Sequence, residues 1–199
     1  MSVLVLIVAS LVGGGFWVVH VLKDALTPPL SVGCTAVVGT DSYDLAPDQS
    51  ANAGLISGIS MQRGLPPRAA SIALATAIQE SKLRNIDYGD MDSLGRFQQR
   101  PSQEWGTAED IMNPVYSTNA FYDELQKVPG YLDMPITVAA QTVQRSAFPS
   151  AYAAHEGTAK AFASALTGQS PAALSCTLFP LKDGEVISTP ADLEVALRD

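Results

Sequence analysis

From Ala69 to Ile78 the chain reads AASIALATAI, and the run leads straight into Gln79-Glu80-Ser81. Every side chain in the run is apolar or a small hydroxyl. A helix over Pro67 to Arg84 is therefore hydrophobic nearly all round and must be buried on most sides. Glu80 stacks one turn beyond Thr76 and Ala77, at the exit of this buried rod. A carboxylate placed there is partly desolvated, which raises its pKa and suits a general acid working near neutral pH. The competing reading is a solvated helix end beside Lys82 and Arg84.

The loop that follows, RNIDYGDMDSLGRFQQRP, sets Asp87, Asp90 and Asp92 among Tyr88, Gly89 and Gly95. Such a composition makes turns and lines a cleft. Each aspartate is a candidate second carboxylate that could hold a water opposite Glu80, and each is also an ordinary solvated turn residue. A calcium loop fits poorly: the glycine falls too early and no glutamate occupies the closing position.

The elements that must position these groups are mostly helical. TPPLSVG is a short prolyl linker, and CTAVVGTDSYDLAP reads as a hairpin turning at Gly39 to Ser42. PDQSANAGLISGISMQRG is a helix stopped by Gly64, and Pro66 and Pro67 open the next one. TAED at Thr107 to Asp110 resembles a capping box with aspartate at its last position. NPVYSTNAFYDELQKV, MPITVAAQTVQRS and PSAYAAHEGTAKAFASALTG predict three further helices, the last ending at Gly168. Phe121, Tyr122, Phe148 and Phe162 fall at helical spacing and are expected in the core. The tail from Ser170 is expected to return one strand to the hairpin.

The chain has 199 residues, 47% hydrophobic and 16% charged, which describes a folded protein with one main core. A net charge of −8 and the lack of any basic cluster interleaved with aromatics exclude a nucleic-acid partner. Val3 to Leu22, VLVLIVASLVGGGFWVVHVL, carries no formal charge and has the length of a bilayer-spanning helix. No basic start precedes it, so an uncleaved anchor is expected in preference to a signal peptide. The only two cysteines, Cys34 in GCTAVV and Cys176 in LSCTLF, sit in similar strand-like contexts at opposite ends of the soluble part. A disulfide between them is expected, which requires an oxidising compartment and turns the domain outward. Two buried free thiols are the alternative. A zinc site is disfavoured, because His20 and His155 have no ligand spacing to the cysteines.

These motifs carry a resemblance. Glu80-Ser81, then Gly95-Arg96-Phe97-Gln98 with Pro101 shortly after, then Asn119 in a helix with Tyr122 and Leu125, resembles the soluble lytic transglycosylases and goose-type lysozymes, over roughly Leu45 to Gly168. The family pattern is a glutamate-serine pair at a helix end, a glycine-x-x-glutamine turn across the cleft, and an asparagine-bearing helix. QRSAFPSAY, Gln144 to Tyr152, also looks like the closing segment of actinobacterial cell-wall proteins of this fold. Two departures stand out. Arg96 and Phe97 replace the usual leucine and methionine, and the family's alanine-tyrosine-asparagine motif is Ala140-Gln141-Thr142 here. The second removes a tyrosine that hydrogen-bonds near the catalytic acid, and leaves Tyr152 or Gln144 as candidate replacement donors.

The resemblance implies a lysozyme-like helical domain, and with the hairpin and the apolar N-terminal run the expected fold is mainly α, with a small β-hairpin on its N-terminal side and an N-terminal transmembrane helix. The expected segments are an anchor over 1–24, linker and hairpin over 25–45, the lysozyme-like domain over 46–169 and a tail over 170–199. It implies cleavage of peptidoglycan glycan strands with Glu80 as acid and base. Ser81, Gly95, Gln98, Gln99, Trp105, Asn119 and Tyr152 would line the substrate, with a Gln98 or Gln99 amide binding an N-acetyl group. Trp105 and Tyr88 are candidate stacking platforms for sugar rings. No metal or organic cofactor is required. The alternatives are a hydrolase that adds a loop aspartate, and a non-catalytic glycan-binding scaffold.

Overall fold

The computed structural model describes residues 32–146 and 150–178. The expected anchor over Val3 to Leu22 and the expected core residue Phe148 lie outside the described residues. Among the described residues no helix is long and apolar enough to cross a membrane.

The fold is mainly helical with a small sheet. Strands β1 (Gly33–Val38) and β2 (Asp41–Leu45) form the predicted hairpin. Val38 pairs with Asp41, so the turn is the tighter Gly39-Thr40 and Ser42 already belongs to β2. Gly39 takes φ 62°, a backbone that glycine adopts without a Cβ penalty. Strand β3 (Leu174–Thr177) returns from the tail and completes a sheet of order β2-β1-β3, antiparallel throughout. Cys34 lies directly opposite Cys176 in that register, and the two form a disulfide. The bond ties the start of the described domain to its end.

Helices α1 (Pro47–Gln62) and α2 (Pro67–Ser81) follow, each with proline in the first turn where its missing N–H costs nothing. Gly64, at φ 65°, closes the first. Helix α2 is the central rod: Ala69 to Ala77 are all buried, and α1, α4 (Pro114–Gln126), α5 (Ile136–Gln144) and α6 (Glu156–Leu166) pack around it. Its alanines let those neighbours approach closely. Phe121, Tyr122 and Phe162 lie in the core as expected. The short α3 (Ala108–Met112) has Thr107 as N-cap, with the reciprocal bonds of the capping box to Asp110. Before α6, the segment Ala151–His155 is a 3-10 turn rather than the first turns of the predicted long helix.

Helix α2 ends at Ser81, short of the predicted Arg84. Lys82 and Leu83 are both left-handed, at φ 54° and 59°. The cause is long-range: Leu83 is driven fully into the core, while α1 holds the freed carbonyls, Gln49 Nε2 donating to Lys82 O at 2.8 Å and Asn52 Nδ2 to Leu83 O at 2.6 Å. Glu80 is thereby fixed in the last helical turn.

Candidate active site

Glu80 is half-buried on the last turn of α2 and opens onto a groove of about 390 Å³ that Lys82, Arg84, Ile86 and Tyr88 also line. Burial pushes its carboxyl above the ordinary value of 4.5, and hydrogen bonds from Tyr152 and then Gln144 partly offset that rise. Tyr152 Oη donates to Glu80 Oε1 at 2.7 Å. The tyrosine is itself wholly buried, and burial together with the neighbouring carboxylate raises its pKa, so it stays a donor at any working pH. Of the two replacement donors named from sequence, Tyr152 makes the bond to the carboxylate.

The same 3-10 turn grips the adjacent residue: His155 Nε2 lies 2.9 Å from Gln79 Oε1. Sequence reasoning missed Gln79 and His155 as part of the site. The available signal was the three-residue step from Tyr152 to His155, which on a 3-10 turn places both on one side.

Opposite α2 stands the Gly95–Gln98 turn. Gly95 sits at φ 73°, and a Cβ there would come within 2.9 Å of Ile111 O, so only glycine fits. Gly95 N–H donates to Ile86 O at 2.7 Å, and Leu94 and Gln99 exchange two backbone bonds at 2.9 and 3.0 Å. Ser81 Oγ donates to Arg96 O at 2.8 Å, and Gln144 Nε2 to Phe97 O at 2.6 Å. Ser81 is thus a strut between the helix end and the turn. Gln144 braces the turn from α5.

Arg96 and Phe97 are both fully buried, Phe97 stacked on Phe121 with ring centroids 4.6 Å apart. The Arg96 guanidinium donates to Asn52 Oδ1 at 2.9 Å, to Thr118 Oγ1 at 3.1 Å and to Pro114 O, with no carboxylate among these partners. Burial alone pulls its pKa down to about 10. It pins the turn to α1 and α4 from beneath.

Other candidates are drawn elsewhere. Gln98 Nε2 donates to Gly95 O at 3.1 Å and Tyr88 O at 3.3 Å, bracing the loop. Gln99 is 1% exposed and donates to Ser117 O, so it is a packing residue and not an amide facing substrate. Asn119 receives Arg63 Nη1 at 2.8 Å on the α1–α4 face, with no bond to Glu80, Tyr152 or Gln144. Asp92 is locked by Arg100 Nε at 2.7 Å and by Ser102, whose N–H and hydroxyl donate at 2.8 and 2.9 Å; these bonds hold its carboxyl well below the usual range. Asp87 and Asp90 are exposed, and Tyr88 between them, 69% exposed, reaches the groove wall. Trp105 packs partly against the core and lines a second cleft with Gln98 and Gln144. Among the described residues no group of three His, Cys, Asp or Glu side chains is placed to hold a metal ion.

The chemistry available is that of one tunable carboxyl. Its neutral form is favoured by burial, its anion is caught by the Tyr152 phenol, and a groove opens beside it. No protein-family model matches the chain, and no curated protein matches it.

Proposed function

We propose that the protein cleaves the glycan strands of peptidoglycan by a lytic transglycosylase-type mechanism, within a lysozyme-like helical fold. The observation that carries this reading is the pairing of a desolvated Glu80 with the buried Tyr152 donor at the mouth of a groove. Protonated Glu80 gives its proton to the glycosidic oxygen, and the bond to the anomeric carbon breaks with the electron pair leaving on that oxygen. Tyr152 and Gln144 stabilise the carboxylate left behind. A hydroxyl of the same sugar then attacks the oxocarbenium-like centre and loses its proton to Glu80, closing an anhydro ring and restoring the acid. No water is consumed.

A hydrolase would need a second carboxylate with a free oxygen. Asp92 has both oxygens engaged, which leaves Asp87 and Asp90, flanking the groove residue Tyr88, as the only loop aspartates for that role. The disulfide supports placement outside the cytoplasm, with Val3 to Leu22 as the membrane anchor.

The test is mass spectrometry of purified peptidoglycan digested by the unaltered protein and by Glu80→Gln. Anhydro products, lighter than hydrolysis products by one water, are expected. Turnover should fall about a hundredfold or more in the variant, the size of a general-acid contribution. Reducing-end products would assign a hydrolase, and binding without release would assign a scaffold.

A further inference from the structure

The second cleft has a volume of about 400 Å³, within the range of small-ligand sites. It adjoins the Glu80 groove, since Gln98 stands in its wall and donates through Nε2 to the carbonyl oxygen of the groove residue Tyr88 at 3.3 Å. Among the described residues four charged side chains border it. Arg100 is neutralised by Asp92 at 2.7 Å, and Glu124 by Lys127 at 2.5 Å. The other two, Arg145 and Glu104, are exposed and make no ion pair among the described residues. Among the described residues one cation and one anion on the same cleft thus have no ion-pair partner, with the Trp105 indole beside them.

That combination selects a ligand class. A purely anionic ligand meets Glu104, a purely cationic one meets Arg145, and a neutral sugar leaves both charges solvated without gain. A ligand carrying a free ammonium and a free carboxylate satisfies both, and its aliphatic stem can cover the indole. We propose that the second cleft receives the peptide branch of the substrate, a short peptide with a free ammonium directed to Glu104 and a free carboxylate directed to Arg145. The inference rests on the reading of the Glu80 groove as a glycan site: a glycan lying across Glu80 would send its peptide past Tyr88 and Gln98 into this cleft.

The experiment uses the full chain carrying Glu80→Gln, so that bound strands are not turned over. Isothermal titration compares three probes: glycan oligomers bearing their peptides, the same oligomers stripped by an amidase, and the released peptide. Peptide-bearing oligomers should bind about fivefold tighter than stripped ones, the upper size of an exposed ion-pair contribution. Arg145→Gln, and independently Glu104→Gln, should collapse that difference, and added salt should do the same. Equal affinity for the two oligomers, or a difference that survives both substitutions, overturns the proposal while leaving the glycan groove in place. Binding of the released peptide, lost on Arg145→Gln, with no binding of stripped oligomers keeps the peptide cleft and overturns the glycan reading. If no probe binds, both fall.

Discussion

Tyr152 Oη and Glu80 Oε1 meet at 2.7 Å across 72 residues of sequence. The bond joins a 3-10 turn to the last turn of α2, and it favours the ionised carboxylate while burial favours the neutral one. Burial is the stronger force, and the carboxyl sits above its ordinary value of 4.5. Losing either force moves it.

Tyr152→Phe removes the donor and keeps the ring. Glu80 then loses the larger of its two offsetting hydrogen bonds, so its pKa rises further. The acid must be protonated to act, and the alkaline limb of the pH–rate profile should move to higher pH. The plateau should fall about tenfold, because a hydrogen bond to a forming anion is worth about 1.5 kcal/mol or more. Release of labelled fragments from peptidoglycan across a pH series measures both. An alkaline limb that stays in place would remove Tyr152 from the mechanism.

Glu80→Gln should lose turnover about a hundredfold or more and yet be more stable at neutral pH. The folded-state pKa of Glu80 lies above 4.5, so the fold prefers the protonated form and loses that preference as pH rises through the folded value. The neutral amide escapes the cost. Its melting temperature should exceed that of the unaltered protein at about pH 8 and match it near about pH 4, where both side chains are neutral. Equal melting temperatures at both values would mean that the carboxylate is not desolvated.

What the sequence made legible was local. Proline at the first turn, glycine at Gly64 and Gly168, and the Thr107 cap act through neighbours a few residues away, and those boundaries fall where expected. The alanine-rich run of α2 announced burial because no charged side chain interrupts it. The misplacements share a different cause. Nothing within a turn of Lys82 and Leu83 signals two consecutive left-handed residues; Gln49 and Asn52, more than thirty positions earlier, impose them. Asn119 and Gln99 have side chains suited to a sugar site, but Arg63 and the Ser117 carbonyl claim them first. The partner of Glu80 could be narrowed to Tyr152 or Gln144, and only packing reveals that Tyr152 reaches the carboxylate while Gln144 donates to Phe97 O.

The Cys34–Cys176 bond closes 142 residues of chain. Loop entropy gives such a link about 2–5 kcal/mol of stabilisation. Replacing both cysteines by serine should lower the melting temperature by about 10 °C, the shift that about 3 kcal/mol produces in a domain of this size. The Glu80–Tyr152 contact involves no strand, so the pH–rate profile of the double variant should keep its shape below the new melting temperature. A melting temperature unchanged by dithiothreitol in the unaltered protein would show that the bond is absent or carries no stability.

The loop aspartates separate stability from chemistry. Under the single-acid scheme Asp87→Asn and Asp90→Asn should each change turnover by no more than about twofold, since neither touches Glu80 or its donors. Asp92→Asn should also preserve anhydro products, but for a different reason. Arg100 and Ser102 hold the Asp92 carboxyl well below its ordinary value of 3.8, so it is ionised at every working pH and does not serve as a base near neutrality. A depressed pKa contributes stability that is present above the unfolded value and lost as pH falls through the folded one. The unaltered protein should therefore melt higher than Asp92→Asn at neutral pH, and the gap should narrow in acid. Digests by all three variants, analysed by mass alongside their melting curves, distinguish the schemes: an aspartate that holds the attacking water would abolish release without changing the melting temperature, and the released ends of the unaltered protein would then carry the extra water. That pattern at Asp87 or Asp90 would overturn the anhydro mechanism and leave Glu80 as the acid of a hydrolase.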